Sequence, residues 1–257
     1  MLLVLAPSKT QEAQKYPNTF DVTQPQLLDH SQQLIDTLSK MDDVELATLM
    51  KTSAKLTEQT REKIDNFRVL HSKDNSCPAL FFFQGDAYSS INACDWNREQ
   101  MSYAQDHLAM LSGLYGLLRP LDLMQSYRLE MGLKLAVQST KNMYQYWGDM
   151  ITQVINTMQA QHHEKVVINL ASIEYSKSIN LKVLVGKKID IVFQQTKSGT
   201  TKTIPIYSKR ARGAMADFVV REKLTYSEDI KNFCDDGYLF IEKESTETKW
   251  LFHTKLS

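Results

Sequence analysis

The segment LSGLYGLLRPLDLMQSYRLEMG, residues 111–132, sets a close pair of glycines and a third at its end, a proline, two arginines and two carboxylates into an otherwise apolar run. Residues 97–111 before it read as a helix, with His107, Leu108 and Leu111 at helical spacing. Gly113 and Gly116 then supply a tight turn, and Pro120 opens a new segment. Helix, glycine turn and second helical segment is the outline of a helix-hairpin-helix-like element, whose turn amides contact phosphates. Two residues separate the glycines where the usual form has one, so an αα-corner capped by Gly113 fits as well. Arg119, stiffened by Pro120, offers a guanidinium fork that matches a phosphate. Asp122 and Glu130 can instead hold Arg119 and Arg128 in buried ion pairs, because charges in apolar surroundings demand partners. The reading leans to ligand contact for Arg119 and leaves Arg128 even.

Beyond this segment the composition is that of an ordinary globular chain: 257 residues, 42% hydrophobic, 23% charged, with zero formal charge. The zero conceals an asymmetry. Residues 1–110 carry 10 basic and 15 acidic side chains, whereas residues 177–223 carry 11 and 3, so a basic region exists in sequence. Cys77, Cys94 and Cys234 are widely spaced and include no Cys-x-x-Cys pair. They argue against a disulfide framework or structural zinc and suit a reducing cytoplasm. MLLVLA at the start is too short for a signal peptide or membrane span and reads as a strand. No repeat or long linker divides residues 1–257, so a single compact domain is expected.

Helical periodicity marks residues 24–40, 42–67 and 144–158, and a basic helix over 210–224. ALFFF (79–83) and KVVINLAS (165–172) read as buried strands. KKIDIVF with TIPIYS reads as a hairpin turning at Gly199, and YLFIEKE with KWLFHT as another. Strands spread among helices without a strict βαβ rhythm favour a mixed α/β (α+β) fold with flanking helices over a doubly wound one.

Three strands run into polar clusters: APSKT (6–10), QGDAY (84–88) and NLASIEYSK (169–177). Any strand must leave the core through polar residues, but three such clusters favour a shared site. Lys9 lacks the glycines of a phosphate loop. Lys209, Arg210, Arg212, Arg221 and Lys223, with Lys197 and Lys202, form the densest positive charge and suit the tracking of a phosphate backbone. No Gly-x-Ser-x-Gly elbow, His-Glu-x-x-His helix or dinucleotide fingerprint occurs. His107 reads as a packed or capping residue and His162-His163 as an exposed loop. Neither a metal nor a cofactor is expected.

These segments, LSGLYGLLRPLDLMQSYRLEMG, YQYWGDMIT, VVINLAS-EY-K, YSKRARGAMADFVV and APSKT, resemble in order those of the YaaA family of peroxide-stress resistance proteins. The resemblance implies a cytosolic protein that protects DNA from oxidative damage and limits free iron. It further implies one mixed-fold domain with a basic cleft and a helix-hairpin-helix-like element for DNA. On the family's motif positions stand Lys9, Lys55, Asp86, Arg119, Asp122, Arg128, Glu130, Trp147, Asp149, Asn169, Ser172, Glu174, Lys177, Lys209 and Arg212. Gln84 replaces the lysine usual before Gly85-Asp86, which weakens a phosphate role for that loop.

Two functions follow. In the first, a monomer binds double-stranded or distorted DNA sequence-tolerantly, through Lys9, Lys55, the Gly113–Gly116 turn, Arg119, Arg128, Lys177, Lys209, Arg210 and Arg212. In the second, an enzyme acts on a phosphate-bearing small molecule, with Asp86, Asp122, Glu130, Asp149, Asn169, Ser172 and Glu174 supplying a polar cleft for acid–base work. Both require Arg119, Lys177 and Lys209 to converge. A deep pocket of mixed charge favours the enzyme, and a broad shallow basic groove favours DNA.

Overall fold

A computed structural model describes residues 1–17 and 20–255. Strand β1 (Leu2–Leu5) is wholly buried, and a long polar excursion leads from it to helices α1 (Leu28–Ser39), α2 (Asp43–Met50) and α3 (Ala54–Asp65). The expected helix over 42–67 is therefore two. Lys51 closes α2 in the left-handed conformation, and a capping box at Asp42 opens it. β2 (Cys77–Pro78) is two residues long, and Ala79–Phe81 form a 3-10 turn. The predicted ALFFF strand is thus absent. The Ala79 and Leu80 amides donate to the Asp122 and Pro120 carbonyls, those of Phe82 and Phe83 to the Ala79 carbonyl, and Phe81 stacks on Tyr16 and Phe20. An apolar run this short does not distinguish a buried strand from a buried turn.

The decisive segment also departs from expectation. α4 (Arg98–His107) ends four residues early, and β3 (Leu108–Ser112) and β4 (Gly116–Leu118) form an antiparallel hairpin. Residues 113–115 make its turn, and β5 (Leu123–Met124) follows as partner of β2. The expected helix-hairpin-helix element does not form in this segment. β3 lies beside β1 with both faces covered, so residues 108–111 form a continuous apolar run that mimics a buried helix in sequence. Gly113 and Gly116 are buried. A Cβ on Gly113 would sit 2.0 Å from the Leu129 carbonyl oxygen, and Gly116 (φ +68°) packs against Trp147 and Leu27. Their backbone serves close packing inside the molecule, not a phosphate outside it.

Gly148 (φ +45°) splits the expected 144–158 helix into α5 (Met143–Trp147) and α6 (Met150–Met158). β6 (Val166–Asn169) leads into the single-turn α7 (Ile173–Ser176). β7 (Lys187–Lys197) and β8 (Thr200–Lys202) make the expected hairpin at Gly199. TIPIYS is not its second strand, because Pro205 at the first turn starts α8 (Pro205–Glu222). β9 (Leu239–Phe240) and β10 (Lys249–Lys255) pair antiparallel, as the last predicted hairpin requires.

The large sheet runs β4-β3-β1-β6-β7-β10-β9, with β8 on β7. β3, β1, β6, β7 and β10 are mutually parallel, and the antiparallel pairs lie toward the edges, so the sheet is mixed. The connection from β1 leads to β3 on one side, while that from β6 leads to β7 on the other. Where neighbouring parallel strands send their connections in opposite directions, a crevice opens beyond their carboxyl ends. Here those ends carry APSKT and NLASIEY.

A cleft of mixed charge at the ends of β1 and β6

The chain from β1 leaves the sheet at Ala6, and Ser8, Lys9 and Thr10 line two adjoining lobes. Glu174 and Tyr175 of α7 line both lobes from the β6 side. The first lobe, a cavity of about 340 Å³, is completed by Leu56, Gln59 and Lys63 on one face of α3 and by residues 127–130 after β5. The second, about 450 Å³, is completed by residues 84–88, Ser172, Lys209 and Arg212. Ligand pockets commonly measure roughly 300–1,000 Å³, so each lobe is of binding size.

Glu130 organises the first lobe. Its Oε1 lies 3.1 Å from Lys9 Nζ and 3.4 Å from Arg128 Nη2. Its Oε2 and Arg128 Nε are buried and have no hydrogen-bond partner among the described residues. Burial, with the Arg128 charge nearby, lowers the pKa of the Lys63 ammonium. Tyr127 is held from below: its hydroxyl meets Ser112 Oγ at 2.7 Å and its amide donates to Gln11 Oε1 at 2.8 Å. Burial raises the phenols of Tyr127 and Tyr175 far above the ordinary range, so both stay protonated donors at neutral pH.

Across the shared wall, Glu174 Oε1 accepts the Gly132 amide at 2.9 Å, which ties α7 to the end of the decisive segment. Ser172 caps α7. In the second lobe Arg212 is half-buried, its Nε is unpartnered, and burial lowers its pKa. Lys209 lies one turn earlier on the same helix and is exposed. Arg210, at 3.8 Å, neutralises part of Asp86. A guanidinium whose Nε is buried with no partner among the described residues favours an incoming anion.

The fold thus gathers Lys9, Arg128, Glu130, Asp86, Ser172, Glu174, Lys209 and Arg212 from the sequence-predicted set. It scatters others. Arg119 is spent on Asp122, which it grips at 2.8 Å through Nη2 and through its own amide. Thr23 also donates to that carboxylate at 2.6 Å. Burial nonetheless raises the Asp122 pKa against these partners. The expected ligand role of Arg119 is corrected: its carboxylate lies three residues away and is almost wholly buried. Lys177 and Asp149 line a separate hollow with Asn180. Asn169 joins Asp190 and the Ala171 amide within the sheet edge. Lys55 is exposed on the first turn of α3 and lines neither lobe. The anticipated convergence of Arg119, Lys177 and Lys209 therefore does not occur, and Lys9, Arg128 and Arg212 take that place. His162, expected in an exposed loop, is buried and stacks on His107 at 4.0 Å between ring centres.

Sequence reading missed Ser8, Lys63, Tyr127 and Tyr175. Leu56, Gln59 and Lys63 recur at i, i+3 and i+7, so helical spacing carried a signal for Lys63. Ser8 and Tyr175 lie inside the polar clusters that the sequence marked, and Tyr127 inside the 111–132 segment, but none was singled out.

Over residues 1–244 the chain matches the family described as "Peroxide stress protein YaaA". This chain belongs to that family. It is also 52% identical over 257 residues to "UPF0246 protein DP0358" of Desulfotalea psychrophila, covering 100% of this chain and 99% of that protein. The resemblance read from the motifs is thereby shown, and with it a peroxide-stress role.

Proposed function

We propose that this peroxide-stress protein works by taking a small phosphate-bearing molecule into the β1–β6 cleft, where its carboxylates and phenols act on it. The observation that carries the reading is Arg212, whose buried Nε lacks a partner in a lobe shared with Lys209 and Lys9. Glu130 in the first lobe and Glu174 at the junction suit acid–base work, which a surface that merely tracks a polyanion does not require. The test is calorimetric titration with inorganic phosphate and simple phosphomonoesters, with survival of peroxide-sensitive cells scored in parallel. A K209A/R212Q double variant should keep its melting temperature, lose phosphate binding and fail to rescue. A wild-type chain that binds none of these anions refutes the reading.

A second reading has its own support. Exposed Lys197 and Lys202 on the β7–β8 hairpin and Arg210 on α8 add positive charge outside the cleft. Here duplex or distorted DNA docks by its phosphates without sequence preference, and shielding it protects it from oxidative damage. Neutralising six phosphates predicts an affinity falling about 10³-fold or more between 50 and 200 mM salt. Affinity indifferent to salt refutes it. Limitation of free iron enters as a downstream consequence; no group of three His, Cys, Asp or Glu able to hold a metal occurs among the described residues. Within either reading the protein acts in the cytoplasm as a monomer. Three unpaired cysteines support the reducing compartment, and no described helix is long and apolar enough to cross a membrane.

A further inference from the structure

The two lobes differ in the ligand chemistry that they leave unsatisfied. In the second lobe the unsatisfied atom is a cationic donor, Arg212 Nε, with Lys209 one turn away; Asp86 and Glu174 also line this lobe, but neither cation is ion-paired among the described residues. That demand is met by a phosphate. In the first lobe the unsatisfied atoms are a donor and an acceptor on neighbouring groups: Arg128 Nε and Glu130 Oε2. Their other atoms, Nη2 and Oε1, lie 3.4 Å apart, so this arginine and carboxylate meet through one arm each. The remaining donor and acceptor are satisfied together by a flat edge presenting a hydrogen-bond acceptor next to an N–H donor. Nucleobases carry such an edge; sugars and simple phosphate esters do not combine it with a ring face. Leu56, Leu129 and the Tyr127 and Tyr175 rings line the same lobe and suit a flat aromatic body. Lys9, Glu174 and Tyr175 belong to both lobes, so one ligand can reach from one to the other.

We infer that the cleft is a nucleotide site, with the phosphate at Arg212 and Lys209 and the base edge at Arg128 and Glu130. This rests on the phosphate-binding reading above and names its ligand class. Two sources share the chemistry: a free nucleoside monophosphate, and one unpaired nucleotide of a nucleic acid.

The experiment is calorimetric titration of the full chain with GMP, ribose 5-phosphate and inorganic phosphate. GMP should bind about tenfold to a hundredfold more tightly than ribose 5-phosphate, the effect of added hydrogen bonds to charged groups. E130Q should bring the ratio of GMP to ribose 5-phosphate affinity close to one, whatever it does to the phosphate arm through Lys9, whereas R212Q should weaken both ligands and keep the ratio. Thermal melting of each variant verifies that it is folded, and R128Q provides a second route to the base arm if E130Q is not. GMP binding no tighter than ribose 5-phosphate overturns the nucleotide assignment while leaving phosphate binding intact; absence of all binding overturns both. Given GMP binding, displacement by a duplex with one unpaired nucleotide, and not by a fully paired duplex, identifies nucleic acid as the source. Lack of displacement identifies the free nucleotide.

Discussion

Arg119 and Arg212 show how much the fate of one side chain depends on its nearest opposite charge. Arg119 has Asp122 three residues on, in a turn that turns both inward, and the pair closes on itself. Arg212 has no carboxylate within reach on its own helix turn and faces the cleft. The two arginines therefore respond differently to truncation. Arg119→Ala leaves the almost fully buried Asp122 carboxylate without its guanidinium, and chemical denaturation should show a loss of about 3 kcal/mol or more. Phosphate binding by that variant, measured under conditions where it remains folded, should match wild type. Arg212→Gln should leave the denaturation midpoint unchanged or slightly raised, because it removes a charge that burial penalises. A clear fall in midpoint would mean that Arg212 holds the fold together.

At the scale of elements, the β3–β4 hairpin and α8 decide the architecture of the site. The hairpin occupies the place where sequence suggested a phosphate-binding turn, and its glycines exist for contact with Leu129 and Trp147. Gly113→Ala forces a methyl carbon into the Leu129 carbonyl, a backbone group that cannot swing aside as a flexible side chain would. It should cost about 3 kcal/mol or more and disturb residues 127–130, so first-lobe binding should fall with stability. Gly199→Ala is the matched control. Its turn meets nothing within 4 Å, and only the left-handed backbone (φ +76°) opposes the change, at a cost of roughly 1 kcal/mol. Comparison of the two melting temperatures separates packing from backbone strain. α8, begun at Pro205, projects Lys209 and Arg212 toward the cleft from its first two turns and buries Met215, Ala216 and Val219 farther along. Its basic end and its apolar end thus do different work.

At the scale of the molecule, stability should depend on pH through an interior imidazole pair. His107 on α4 donates to the Met1 carbonyl at 2.8 Å and stacks between Tyr103 and His162. Burial first, and the neighbouring His107 next, push His162 down to about 3. Burial also lowers His107. Below the ordinary value of 6.5 the unfolded chain therefore binds more protons than the folded one. The contribution of His162 is complete above pH 6.5 and is lost as the pH falls toward 3. Its part of the slope is at most about 1.4 kcal/mol per pH unit. Denaturation midpoints between pH 7 and pH 5 should fall for wild type and fall less for His162→Phe. Equal slopes would remove the imidazole from the account.

The sequence by itself determined the family, the mixed α/β class and several elements. The strand from Lys187 and its turn at Gly199 are marked by turn chemistry, though not the strand that follows the turn, and the last hairpin and α1 are marked by their apolar patterns. Those features are written in local periodicity and turn chemistry. It also determined that polar loops follow the strands at Leu5 and Asn169. Only the tertiary structure decided that these two strands are neighbours whose connections diverge, and so that their loops face one crevice. Only it decided that Leu108–Ser112 is a strand, because burial on both faces erases the alternation that reveals one. And only it sorted the cations, since whether an arginine is free or paired depends on which carboxylates the folded backbone brings within a few ångströms, a quantity that no spacing along the chain encodes.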